Sequence, residues 1–296
     1  MNIRLSSPVT LSGHLLAALL CALLLALASP GAAAQQSPFV LINGGVFDGP
    51  GNEIEPEVTI VQPTGPILLQ VGALPDAFGR FRSAYGSTGF GAQVTGGINR
   101  EVDGGAGWSD GFTVSGGSGG GTLPINTHIQ GTATGDIEMF FGVFVSAQPF
   151  DVATLFAAVQ AAPGFWAVQL PNATRVLFTG IANRCGMAGA SSECGHVPYE
   201  SFDGPFDLTL GASVPFTYGQ PFYVLSVLGG GVGVFGGSMD FYNSATFGIS
   251  APAGASLSTM SGAVYAPVPE PAAWLLIALG VLTLHLRRRG SRHRAR

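Results

Sequence analysis

The chain has 296 residues, a formal net charge of −5, 10% charged residues and 45 glycines. None of its 12 basic residues is a lysine, which excludes Schiff-base and PLP chemistry and P-loop phosphate binding, all of which rest on a lysine amine. Residues 35–271 hold all 17 acids against five arginines (Arg80, Arg82, Arg100, Arg175, Arg184), a balance of −12. That surface excludes nucleic acid, which needs clustered positive charge. It suits divalent cations or neutral polymers.

The N-terminal stretch carries Arg4, then an apolar run from Leu15 to Leu27, then Ala32-Ala33-Ala34 before Gln35. This is the layout of a secretory signal peptide over residues 1–34, and it implies passage through the Sec translocon. Cys21 follows Leu20, where lipoprotein processing wants a small residue. An exported chain works outside the ATP and NAD pools, so nucleotide-dependent activities are excluded on a second ground.

The interior reads as strands. "DIEMFFGVFVSAQPF", "GFWAVQL", "TRVLFTGI", "FDLTLGASV", "PFYVLSVLG" and "DFYNSATFGISA" are rich in aromatic and β-branched residues, with Gly, Pro and Asn between them. In "FDLTLGASV" the alternation puts Phe206, Leu208 and Leu210 on one face. The recurrence of short strands predicts an all-β fold, an antiparallel β-sandwich of jelly-roll type. One segment, "DVATLFAAVQAA", is the helical candidate, with Asp151 as cap and Leu155, Phe156 and Val159 on one face, and a strand fits it nearly as well. "SGGSGGGTLP" (115–124) reads as a flexible link and "LGGGVGVFGG" (228–237) as a glycine-rich hairpin loop. The latter contains Gly231-x-Gly233-x-x-Gly236, a dinucleotide pattern only in form, because no helix is expected after it. Gly116-x-Ser118-x-Gly120 likewise lacks the strand, helix and histidine of a nucleophile elbow.

After the signal peptide two cysteines remain, Cys185 and Cys194. In an oxidising compartment the pair reads as one local disulfide. His196 beside it leaves a Cys/Cys/His metal site open, although a structural zinc needs four ligands at closer spacing.

The C-terminus has three parts in order: "VPEP" at 268–271, an apolar run Ala272–Leu286, and six arginines in the last ten residues. As a helix the run spans about 22 Å at ~1.5 Å per residue, short of a ~30 Å hydrocarbon core. It can serve as a single transmembrane helix if Arg287, Arg288 and Arg289 snorkel. These arginines stop transfer and keep the tail cytoplasmic, with the body outside. Pro269 and Pro271 lack N–H groups and disfavour helix before them, so the motif should be extended beside the bilayer. This tripartite end, behind a signal peptide, resembles the PEP-CTERM sorting signal of exported proteins in Gram-negative bacteria that make exopolysaccharide. The same tag is sometimes named an ice-binding protein C-terminal domain, and no regular threonine array supports that activity here.

The resemblance implies that Pro269, Glu270 and Pro271 are recognised by exosortase, a multi-pass membrane protease. It implies transient anchoring in the inner membrane, then release to the cell envelope or extracellular matrix, in the setting of exopolysaccharide or biofilm. "VPFTYGQPFYVLSVL" and "MDFYNSATFGISAPAGASLSTMSGAVY" also look like the body of many such proteins. The expected division is 1–34 signal peptide, 35–258 secreted β-sandwich domain, 259–267 linker and 268–296 sorting signal.

Chemistry in the body is weakly signalled. Glycoside hydrolysis needs two carboxylates in one cleft, and Glu138, Glu193 and Glu200 are candidates that the sequence does not pair. Acidic loops "DGPGNEIEPE" (48–57) and "REVDGGAGWSDG" (100–111) offer oxygen ligands for calcium without EF-hand spacing. Trp108, next to Ser109 and Asp110, is a candidate sugar-binding ring, with Tyr218 and Tyr242 as further aromatics and Trp166 expected in the core. The expectation is a non-enzymatic exported surface or matrix protein with no fixed cofactor; the alternatives are a lectin-like carbohydrate-binding module and a matrix-modifying hydrolase. An exposed Trp108 would favour the module.

Overall fold

The computed structural model describes residues 36–48, 52–161, 168–182 and 203–265. The signal peptide, Cys185 and Cys194, His196, Glu193 and Glu200, Trp166, the motif Pro269–Pro271, the apolar run and Arg287–Arg289 lie outside the described residues. Among the described residues no helix is long and apolar enough to cross a membrane.

The fold is mostly β, as expected. Eleven strands are described: β1 (Phe39–Asp48), β2 (Glu53–Gln62), β3 (Ile67–Ala73), β4 (Ala77–Ala84), β5 (Ser87–Val94), β6 (Arg100–Ser115), β7 (Gly120–Ser146), β8 (Ala173–Ala182), β9 (Gly204–Thr217), β10 (Pro221–Ile249) and β11 (Ser256–Thr259). One helix, α1 (Val152–Ala161), follows β7. Asp151 caps it, its Oδ2 accepting both the N–H and the hydroxyl of Thr154 at 2.8 Å. The segment is the helix that the sequence offered, and not the strand.

Two strands organise the sheet. The order β2-β1-β6-β10-β5-β4-β3 runs along one side of β10, β7 pairs with its other side, and β8 and β9 pair with β7. The first part of β10, Pro221–Val232, pairs with β6, and its second part, Gly237–Thr246, pairs with β5. β7 accompanies β10 through both parts, with a register shift between Val232 and Gly237. At this corner Gly135 and Gly236 adopt φ of 77° and 85°, left-handed values that favour glycine. A Cβ on Gly236 would also strike the backbone of Gly96. Beyond the corner, β1 packs on β3 and β4, and β6 packs on β4 and β5, without being their hydrogen-bonded neighbours.

Side chains enclosed between these strands form the main core, including Trp108, Phe112, Phe81, Phe90, Phe141, Phe241 and Phe247. Burying each such ring contributes about 1.5–3 kcal/mol. β9 shows the expected alternation: Phe206, Leu208 and Leu210 are shielded while Asp207 and Thr209 are exposed. A second apolar cluster lies under α1, where Leu155 and Phe156 meet Phe39, Leu41, Phe144 and Leu225.

Four sequence expectations change. The glycine-rich stretch 228–237 is not a hairpin loop but the middle of β10. Its glycines make room for bulky neighbours: a Cβ on Gly229 would enter the Phe140 ring, and one on Gly231 would meet the Asp103 carboxylate. The supposed link at 115–124 is only a tight turn, because Gly120 to Pro124 already pair with β9. The expected acidic loop 100–111 is the central strand β6, paired with β1 and β10. The expected linker 259–267 belongs in part to the body: β11 ends at Thr259 on β6, and Tyr265 is buried in the main core.

Candidate functional site

Trp108 and Asp110 are both fully buried, whereas a sugar-binding ring at Trp108 calls for an exposed face. The reason is strand phase. Alternate residues of β6 face opposite sides, and Val102, Ala106, Trp108, Phe112 and Val114 all point into the core. Asp110 has the same parity. The Trp108 ring is enclosed by Phe247 at 5.1 Å and Tyr265 at 5.2 Å.

A buried carboxylate must find donors, and Asp110 finds them in the last segment before the C-terminal tag. Its Oδ1 accepts the N–H of Gly111 at 2.8 Å and of Ser261 at 3.0 Å. Its Oδ2 accepts the Tyr265 hydroxyl at 2.8 Å and the Ser261 hydroxyl in a short bond. Burial, then the Asp110 charge, push the Tyr265 hydroxyl well above the usual tyrosine range. The same two causes, in the same order, push Tyr85 up to about 12; Tyr85 donates to the carbonyl of Pro63 at 2.7 Å. Asp110 therefore ties Ser261 and Tyr265 to the body. Nothing local to Tyr265 in the sequence announces this.

The opposite face of β6 carries Glu101 and Asp103. Register places Asp103 opposite Gly231, and Gly231 opposite Glu138 on β7. The two carboxylate-bearing backbones are thus two strand spacings apart, about 9–10 Å. Glu57 and Asp136 are also buried, and none of these five carboxylates lacks a partner. The acids of 100–111 are thereby divided between two faces, Asp110 inward and Glu101 and Asp103 on the other. At the other expected calcium loop, Asp48 accepts hydrogen bonds from the backbone and side chain of Asn52. Among the described residues, no three His, Cys, Asp or Glu side chains are placed to hold a metal ion.

Toward α1 that face becomes apolar. A groove runs between helix and sheet, walled by Leu41, Phe140, Phe144, Leu155, Phe156 and Phe178 and floored by Gly104, Gly105 and Gly142.

Of the two candidate tyrosines, Tyr218 packs edge-on to Phe216 at 5.0 Å, a structural contact. Tyr242 is different. A register shift in β10 between Phe241 and Ala245 lifts it out of the ladder, the kind of bulge that re-aims a side chain. Gly89 makes room, since a Cβ there would strike the Tyr242 carbonyl. The ring then lies under the Arg80 guanidinium at 4.5 Å, with Arg82 at 5.9 Å. Asp240 pairs with Arg80 at 2.8 Å, both side chains being substantially exposed. The arginine neighbours were not singled out in the sequence. Their even spacing, Arg80 and Arg82 on one strand face, was the available signal.

Comparison with curated proteins and with solved structures gives no match. A family model does match, beginning two residues after Tyr265. It covers residues 267–289, which include Pro269, Glu270 and Pro271, the apolar run and Arg287–Arg289. The chain carries, two residues after the buried Tyr265, the PEP-CTERM protein-sorting motif.

Proposed function

We propose that this is a non-enzymatic protein of the cell surface or extracellular matrix, an antiparallel β-sandwich exported and then processed by exosortase through its C-terminal tag. The observation that carries the reading is the junction: a body sealed by Asp110, Ser261 and Tyr265, followed at residue 267 by the matched motif. The body is cargo, and the tag is an address carried behind it. The tag supports export and exosortase targeting; a role in an exopolysaccharide or biofilm setting is the extension proposed here. The inner-membrane stage, with Arg287–Arg289 as the cytoplasmic stop, belongs to the same reading. Mass spectrometry of the mature protein recovered from its host's surface tests it. The expected C-terminus lies close to Pro269–Pro271, and recovery of peptides through Arg296 overturns the processing claim.

A second reading, a carbohydrate-binding module, has its own support in the Arg80–Tyr242–Arg82 cluster. An aromatic face beside guanidinium donors suits a polyol bearing carboxylate groups. Incubating the mature protein with host exopolysaccharide separates the readings: retention lost in Arg82→Ala favours the module. Release of small sugars would instead support a hydrolase, with Asp103 and Glu138 the carboxylates to replace first.

A further inference from the structure

Resting on the exosortase reading above, we propose that the segment Met260–Tyr265 is a latch whose opening admits the sorting protease to the motif, with Asp110 as its positioning residue.

The argument is one of reach. A chain extends at most ~3.3–3.6 Å per residue. Four steps separate Tyr265 from Pro269, so the sealed body stands within about 14 Å of the recognition motif. Seven steps separate Tyr265 from Ala272, where the apolar run starts, so the body hangs no more than about 25 Å from the bilayer. A body of this size has a radius of about 22 Å. A membrane protease must fit its cleft into that gap and grip an extended segment with only Ala266–Val268 ahead of the motif.

The six residues Met260–Tyr265 are stored slack. β11 stops at Thr259, and the segment's one backbone bond to β6 runs from the N–H of Met260 to the carbonyl of Gly111. Ser261 and Tyr265 are held instead by the Asp110 carboxylate. Val264 is 94% exposed and Met260 is 53% exposed. With one backbone bond to β6, the segment can leave while the strands stay paired, once the Tyr265 ring parts from Trp108, Phe112 and Phe247. Its release would lengthen the tether by about 20 Å, while β11 stays paired. After the cut, Tyr265 can return to Asp110 and seal the mature end.

Pulse-chase of the full chain in its native host, following the mass shift of processing, tests this. The first variant inserts six Gly/Ser residues between Ala266 and Pro267, which lengthens the tether and leaves the latch intact. The second is Asp110→Asn. Each is expected to raise the processing rate at least threefold, and D110N is expected to add nothing in the insertion background, where slack is no longer limiting. An insertion that leaves the rate unchanged or slows it overturns the latch. So does a D110N effect of full size in the insertion background, because that would be general destabilisation. Glu270→Ala separates the two readings. A mass shift that survives E270A overturns the sorting reading itself, whereas a motif-dependent shift that ignores the insertion overturns the latch alone.

Discussion

Two tyrosines in this molecule sit beside charged partners after leaving regular register, and their surroundings differ. Tyr265 follows the last strand and donates to Asp110 inside the core, where Asp110 is fully buried. Tyr242 rides a bulge of β10 and lies under Arg80, whose partner Asp240 has a side chain 54% exposed. In the core, water cannot replace a lost partner, so each missing bond leaves a desolvated group behind. At the surface, water competes for the same contacts and the ion pair contributes about 0–1 kcal/mol. The buried cluster therefore holds structure, whereas the exposed one leaves its groups accessible to something else. Substitution should separate the two by the size of the stability change.

The largest change is expected at Trp108, the shared wall of the buried cluster. Trp108→Ala removes a ring packed against Phe247 and Tyr265 and should cost about 3–5 kcal/mol, read as a lower denaturant midpoint. Asp110→Asn comes next. It weakens the acceptor for two hydroxyls and two N–H groups, with an expected loss of about 2–3 kcal/mol. If D110N matched wild type in midpoint, the carboxylate would not be what closes the body.

This cluster also marks how far the sequence could be read. The alternation in β9 and the Asp151 cap of α1 are local signals, encoded in the few residues that form them. The C-terminal motif is likewise a contiguous string. Trp108 misled because its immediate neighbours are polar, yet the phase of Val102, Phe112 and Val114 already placed it inward. The middle of β10 misled for a different reason. Glycine there answers to Phe140 and Asp103 on other strands, and nothing within 228–237 names those partners. Tyr265 and Asp110 lie 155 residues apart, so their bond is a product of the fold, and the expected linker at 259–267 could not have revealed it.

A smaller effect should follow pH. An unfolded tyrosine ionises near its ordinary value of 10.0, while folded Tyr85, pushed up to about 12 by burial and by Asp110, still holds its proton. Between those values the native state binds more protons than the unfolded state, so stability falls as pH rises. Below pH 10 this contribution is fully present. Tyr265 is shifted in the same direction, so the loss continues at higher pH. Denaturant midpoints measured from pH 9 to 12 should decline, and Tyr85→Phe should flatten the decline. An equally steep decline in Y85F would show that other groups set it.

The smallest stability change is expected around the half-buried Tyr242, and there it is the most informative. Arg82→Ala removes a guanidinium at 5.9 Å from the Tyr242 ring and its 3.1 Å bond to Ser87, contacts worth no more than about 0.5–1 kcal/mol near solvent. If Arg82 only decorates the sheet, the variant should match wild type in polymer retention as well as in midpoint. If the bulge exists to present Tyr242 and its arginines to an anionic polymer, retention should fall while the midpoint hardly moves. Adding salt should weaken wild-type retention in the same way, because exposed charges are screened over about 8–10 Å. A loss of retention in D110N alone, with R82A intact, would move the binding surface away from Tyr242 and back toward the closed end of the body.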